Sequence, residues 1–207
     1  MKNSSYIREF LLIKKILEKE RKPRLAAEGW DDDWKTLIAI ILSAQTRDSL
    51  TIKICEELFK KYKNAKELGE AKIKNIEKII RPINYYKTKA KNIKETSKII
   101  SSLEKFPSSL NDLIKLPGVG RKTANVFLAE RRNSPSIGVD THVKRISRKM
   151  NWTKNNNPKK IEEDLKKIFP KKYWNSINYV LVSFGQTIGK SRKKEDNLLK
   201  KIKSCSS

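Results

Sequence analysis

One lysine stands out by its neighbours rather than its type. In LPGVGRKTA, residues 116–124, Lys122 follows a turn made by Pro117, Gly118, Val119 and Gly120, and the run after it reads as a helix from about Arg121. Pro117 cannot continue the helix that ends near Leu116, and the two glycines allow positive φ and close approach of another backbone. The first N–H groups of the new helix have no partner within it and lie at the positive end of its dipole. Gly118, Val119, Gly120, Arg121 and Thr123 therefore frame a seat for a phosphate oxygen. Two chemistries fit Lys122 in that setting. Protonated, it is one more phosphate contact. Unprotonated, it is an amine nucleophile able to form a Schiff base. The turn by itself leaves both open.

The other chemistry-bearing residues exclude several classes. His142 is the only histidine, so a multi-histidine metal site is ruled out. Two cysteines, Cys55 and Cys205, cannot build a disulfide framework and fit a reducing, intracellular location. Cys55, in TIKICEELF, sits at helical spacing as a small buried apolar residue. The 207 residues carry 48 Lys+Arg against 23 Asp+Glu, a net charge of +25 spread along the whole chain. Such a surplus implies a polyanionic partner, nucleic acid before an anionic membrane surface, because each cation displaces counterions from a phosphate. No apolar run approaches the ~20 residues that span a bilayer. The N-terminal MKNSSYIREFLLIKKILEKERK alternates charge with Ile and Leu, as an amphipathic helix does and a signal peptide does not.

Helices must position these residues, since period-3.6 patterns dominate and strand signals are nearly absent. DDDWKTLIAIILSAQ opens with acids suited to a helix start and becomes fully apolar by Leu37–Leu42, which predicts a buried central helix. RDSLTIKICEELFKKY follows, with Asp48 or Ser49 as its cap. AKIKNIEKII stops at Pro82, YKTKAKNIKETSKIISSL is long and amphipathic, and PSSLNDLIKL is short. RKTANVFLAERR, DTHVKRISRKM, PKKIEEDLKKIF and KKYWNSINYVLVSFGQTI complete the set. Short polar turns join them, so an all-α protein of roughly ten helices is expected.

Several of these motifs together resemble one family. LPGVGRKTANVFLAE followed by IGVDTHVKRISRKM is similar to the helix–hairpin–helix and the Gly/Pro-rich, aspartate-ended loop of DNA glycosylases of the endonuclease III type. LIAIILSAQTRD resembles that family's early helix and glutamine-bearing turn, and INYYKTKAKNI its wedge segment. The resemblance covers roughly residues 26–190. It implies a base-excision repair enzyme that removes damaged bases, oxidised pyrimidines among them, and nicks the abasic strand. Lys122 falls on the catalytic lysine and Asp140 on the essential aspartate. Gln45 falls on the residue that fills the gap left by a flipped nucleotide. Tyr85 falls on the opposite-side wedge, a role Tyr86 could also take. His142 is placed at a DNA phosphate, or orients the loop, or is simply satisfied in the core. Asp48 lines the base pocket or caps its helix. The carbonyls of Ile114, Leu116 and Val119 are implied to hold a monovalent cation.

The resemblance also implies two lobes, about residues 26–134 and residues 1–25 with 135–207, with double-stranded DNA across the cleft and Lys122 and Asp140 facing each other from either side. The chain is expected to act as a monomer in the cell, on DNA, without a membrane. It departs from the family at the tail. The family carries a four-cysteine loop there that binds an iron–sulfur cluster. Here Gly189, Asp196 and Leu199 fall on the first three cysteine positions, and only Cys205 remains. One thiolate cannot hold a cluster that needs four ligands, so no iron–sulfur cofactor is expected. The basic KSRKKEDNLLKKIK is either a helix that restores phosphate contacts or a frayed tail. Two other classes stay open: a base-removing enzyme without lyase activity or an enzyme directed mainly at abasic sites, and a non-enzymatic helix–hairpin–helix module.

Overall fold

The computed structural model describes residues 2–20, 23–189 and 191–205. Among them are twelve helices and no strand. No helix among the described residues is long and apolar enough to cross a membrane. Tertiary contacts divide the chain into two compact units: Arg24–Asn133, and Met1–Pro23 together with Ser134–Ser207.

The mid-chain unit is built on α2 (Asp33–Ser43), which is buried nearly all round. Its residues Leu37 to Leu42 are each at most 3% exposed. Around it pack α3 (Asp48–Lys61), α6 (Tyr86–Ser101) and α8 (Arg121–Arg132), while α4 (Ala65–Glu70) and α5 (Ile73–Ile80) lie on α6 and α7 (Leu110–Leu113) on α8. The acids at the start of α2 do more than favour a helix dipole. Asp33 accepts from Arg131 at 2.8 Å and from Arg132, so one carboxylate clamps the basic end of α8. Cys55 is fully buried, and burial pushes its thiol far up.

Two details differ from the sequence expectation here. Neither Asp48 nor Ser49 caps α3: Arg47 holds the cap position, and Asp48 reaches away to accept the Ala26 N–H at 3.2 Å. The six-residue α4 carries too short a pattern to be read from sequence. Asn64 caps it, accepting from Glu67 N–H at 2.8 Å. Its Gly69 lies against the backbone of α6, and a Cβ there would stand 2.8 Å from the Lys98 nitrogen. Backbone cannot step aside as a flexible side chain can. Gly69→Ala is therefore expected to destabilise the protein by about 1–3 kcal/mol. A lowered urea midpoint with an unchanged m value would show it.

The terminal unit pairs α1 (Lys2–Glu18) with α11 (Lys171–Thr187) and α12 (Arg192–Ser204), and α9 (Thr141–Lys149) with α11; α10 (Pro158–Ile168) completes it. Its core is aromatic: Phe10, Trp152 and Phe169 meet edge to face with centroids 5.0 to 6.5 Å apart. The Trp152 indole donates to buried Glu9 at 2.6 Å. Lys190, the first residue of the basic tail, lies outside the described residues; the tail that follows is helical from Arg192 to Ser204. It forms α12, which buries Glu195, Leu199 and Ile202 on one face.

Candidate active site

The hairpin between α7 and α8 is a turn closed by the Val119 N–H donating to the Leu116 carbonyl at 3.1 Å. Gly118 has φ +78°, and a Cβ there would stand 2.9 Å from the Asn92 Cβ, so glycine is required twice over. Gly120 differs from expectation. Its φ of −86° is open to any residue, and a Cβ would meet nothing within 4 Å. Its smallness leaves the outer side of the hairpin unobstructed. The first helical bond of α8 runs from Ala124 N–H to Gly120 O at 3.0 Å, so the amides of residues 121–123 precede it.

Gly118, Gly120 and Arg121 are exposed, Pro117 is half-buried, and Lys122 is half-buried in the first turn of α8. Val119 and Thr123 are buried in their own unit. The part Thr123 can play toward a ligand therefore narrows to its main chain. The side chain of Ile114 is exposed and that of Leu116 buried; the Leu116 carbonyl already serves the turn. The hairpin is tied to α6, where the Thr96 hydroxyl donates to the Pro117 carbonyl at 2.8 Å.

Gln45 and Tyr85 share an unusual backbone. Both are non-glycine residues in the left-handed region, at φ +55° and +59°, and both are exposed. Tyr85 is the most exposed of the large apolar residues, at 66%, whereas Tyr86 packs partly buried on the core. Residues that sequence reasoning passed over hold these turns. Asn84 and Lys89 on one side, Asn92 and Thr96 on the other, touch partners 21 to 47 residues away, which no local pattern signals.

In the terminal unit, the loop before α9 is held by α11. Asn175 accepts from Ser136 N–H at 3.2 Å, and Asn178 donates to the Gly138 carbonyl at 2.7 Å. The loop delivers Asp140 to the cap position of α9, where Oδ1 accepts the Val143 N–H at 2.8 Å. Asp140 is half-buried. His142, one residue into α9, is half-buried against Gly185, where a Cβ would stand 2.1 Å from its Nδ1. Arg145 approaches that nitrogen at 3.3 Å, which assigns Nδ1 as acceptor and the ring proton to Nε2. Burial lowers the affinity of the imidazole for a second proton, and Arg145 lowers it further against an opposing pull from Asp140.

Where the related family places its cluster, this chain has a carboxylate. Glu195 is fully buried, and Arg145 grips it with two bonds of 3.0 and 2.7 Å. Lys149 adds a third at 2.8 Å and also reaches Asp196 at 2.5 Å. Gly189 leaves the room: a Cβ there would lie 2.4 Å from Glu195 Oε2. Leu199 is core, Cys205 is exposed at the end of α12, and Cys55 belongs to the other unit. No group of three or more His, Cys, Asp or Glu among the described residues could hold a metal ion. The donor set does not fit a four-thiolate cluster.

A glycine hairpin joining two helices, in an all-α and strongly cationic chain, defines a helix–hairpin–helix DNA-binding protein. The family profile of the HhH-GPD superfamily base excision DNA repair proteins matches residues 38–171. Endonuclease III of Thermotoga maritima is 42% identical over 163 residues, 77% of this chain and 76% of that one. Endonuclease III of Bacillus subtilis is 35% identical over 158 residues, 74% of this chain and 71% of that one. A trapped endonuclease III–DNA covalent intermediate superposes with a TM-score of 0.81 at 30% identity, covering 89% of this chain and 86% of that one. The chain belongs to the HhH-GPD superfamily of base excision DNA repair proteins and, within it, to the endonuclease III family of DNA glycosylases and abasic-site lyases.

Proposed function

We propose that this enzyme is bifunctional, removing oxidised pyrimidines and cleaving the resulting strand through Lys122. The observation that carries the reading is the lysine itself: half-buried, in the first turn of α8, directly behind a hairpin whose glycines are exposed. The duplex yields a flipped nucleotide whose C1′ is attacked by the neutral amine. The C1′–N bond breaks, and the base leaves with that electron pair and gains a proton. The Lys122 nitrogen gives up a proton, the C1′–O4′ bond breaks as the nitrogen lone pair forms the C=N bond, and O4′ takes up a proton, leaving an iminium between C1′ and Lys122. Loss of a C2′ proton expels the 3′ phosphate by β-elimination, and water releases the lysine.

Asp140 supplies the carboxylate that stabilises the cationic sugar. Its Oδ1 serves the α9 cap, so the side chain is held in one rotamer. Gln45 and Tyr85 occupy the space on either side of the departed base, and the hairpin amides with Arg121 hold a phosphate. His142 packs against Gly185 of α11 with its ring proton on Nε2, so it orients the loop or donates to a phosphate. Asp48 fixes Ala26 beside its helix. The enzyme works as a monomer, in the cell and on DNA, without an iron–sulfur cluster, because the donor set cannot build one.

Borohydride trapping tests the lyase step. A covalent adduct with duplex DNA containing thymine glycol or an abasic site is the expected result. Free base released without an adduct would establish a monofunctional glycosylase instead. Binding with neither product would leave only the helix–hairpin–helix module.

A further inference from the structure

We propose that Lys89 and Asn84 are positioning residues that lock the Gln45 turn beside Tyr85, so that the two exposed side chains form one preset wedge. The inference rests on the functional reading above, in which Gln45 and Tyr85 take the place of an extruded nucleotide.

Residues such as Gln45 and Tyr85 keep a left-handed backbone only when their surroundings over-determine it. For Gln45 those surroundings come from α6 and the turn just before it. The Asn84 amide, one residue before Tyr85, donates to the Gln45 carbonyl at 2.5 Å. Lys89, only 6% exposed, spends its three donors on the Leu42 carbonyl at 2.7 Å, the Ala44 carbonyl at 2.5 Å and the Thr46 hydroxyl at 3.2 Å. These acceptors span the end of α2 and bracket Gln45. The ammonium satisfies carbonyls that the helix end leaves open and complements its negative dipole. Burial lowers the amine to about 8, so the charge is kept in an environment that disfavours it. An exposed lysine would cap those carbonyls without that penalty; burial adds a fixed geometry.

The same face of α6 reaches the hairpin. Lys89, Asn92 and Thr96 follow the three-four spacing of one helical stripe, and Tyr85 stands at the cap of the same helix. Lys89 holds the turn, Asn92 lies against Gly118, and Thr96 holds Pro117. The wedge and the phosphate seat are thus anchored on one rigid element. A wedge that must displace a stacked base gains from such preorganisation, since a loose turn would yield before the base did.

The test compares two substrates with Asn84→Ala and Lys89→Met. Asn84 is exposed, so its variant removes one bond without emptying the core. Single-turnover cleavage of a paired thymine glycol in duplex DNA is expected to fall by about tenfold or more, the rate equivalent of one lost hydrogen bond to a held turn. Nicking of an abasic site in single-stranded DNA, where no base has to be displaced, should stay within about twofold. An equal fall on both substrates would overturn the proposal, because the residues would then serve chemistry or folding. No change on either, for Asn84→Ala with an unaltered melting temperature, would overturn it too. Inactivity of the native protein on both substrates would sink the enzymatic reading itself, and this inference with it.

Discussion

Lys122→Ala is expected to abolish both strand cleavage and borohydride trapping while leaving folded, DNA-binding protein. The position is in the first turn of α8, where alanine is a good helix former, so the hairpin should survive. Removing a covalent nucleophile typically costs several orders of magnitude in rate. Salt dependence separates the two chemistries that the turn alone leaves open. A lysine that only neutralises a phosphate would, when removed, lower the slope of log K against log salt by about one and spare the chemistry. A nucleophile would do the reverse: no adduct, with a slope nearly intact.

Asp140→Asn belongs to the same test. Asparagine caps a helix about as well as aspartate, so the bond to the Val143 N–H can persist and α9 should keep its start. What the variant loses is the negative charge. A fall in turnover of about 10²-fold or more, with thermal stability unchanged, is expected for a carboxylate that faces developing positive charge. Full activity in Asp140→Asn would reduce Asp140 to a cap.

The second large effect falls on Glu195. Its carboxylate is pulled two ways: burial raises it, and the bonds and charges of Arg145 and Lys149 outweigh burial and hold it down at about 2. Relative to the ordinary value of 4.5, that difference corresponds to roughly 3 kcal/mol of stability above pH 4.5. The sign follows from the depressed value. The unfolded chain takes up a proton first as pH falls, so the contribution is complete above pH 4.5 and is lost progressively toward pH 2.

Glu195→Gln removes the charge at every pH and leaves three cations, Arg145, Lys149 and the more exposed Arg192, facing a neutral amide. Breaking a buried pair typically costs about 3–5 kcal/mol; Arg145 and Lys149 keep some water contact, which places this case near the lower end. A lowered melting temperature and faster hydrogen exchange or proteolysis confined to α12 would confirm it. A native-like melting temperature with α12 still protected would show that Leu199 and Ile202 alone hold the helix.

Local chemistry carried most of what could be read without coordinates. The start of α8 at Arg121, the proline and glycines before it and the buried run Leu37–Leu42 all follow from neighbours a few residues apart. Period and turn signals act over that range. Six-residue α4 was missed because one turn carries too little pattern, and the tail stayed ambiguous because Glu195 reads as a solvated charge among lysines.

The sequence by itself determined the all-α class, the polyanionic partner and the hairpin that frames Lys122. Tertiary structure alone decided which groups hold the Gln45 turn in one unit and α12 in the other. Glu195 meets Arg145 across 50 residues, Lys89 meets Leu42 across 47, and Asn84 meets Gln45 across 39. Buried charges and strained turns are unfavourable until distant partners arrive, so nothing in their own neighbourhoods announces them.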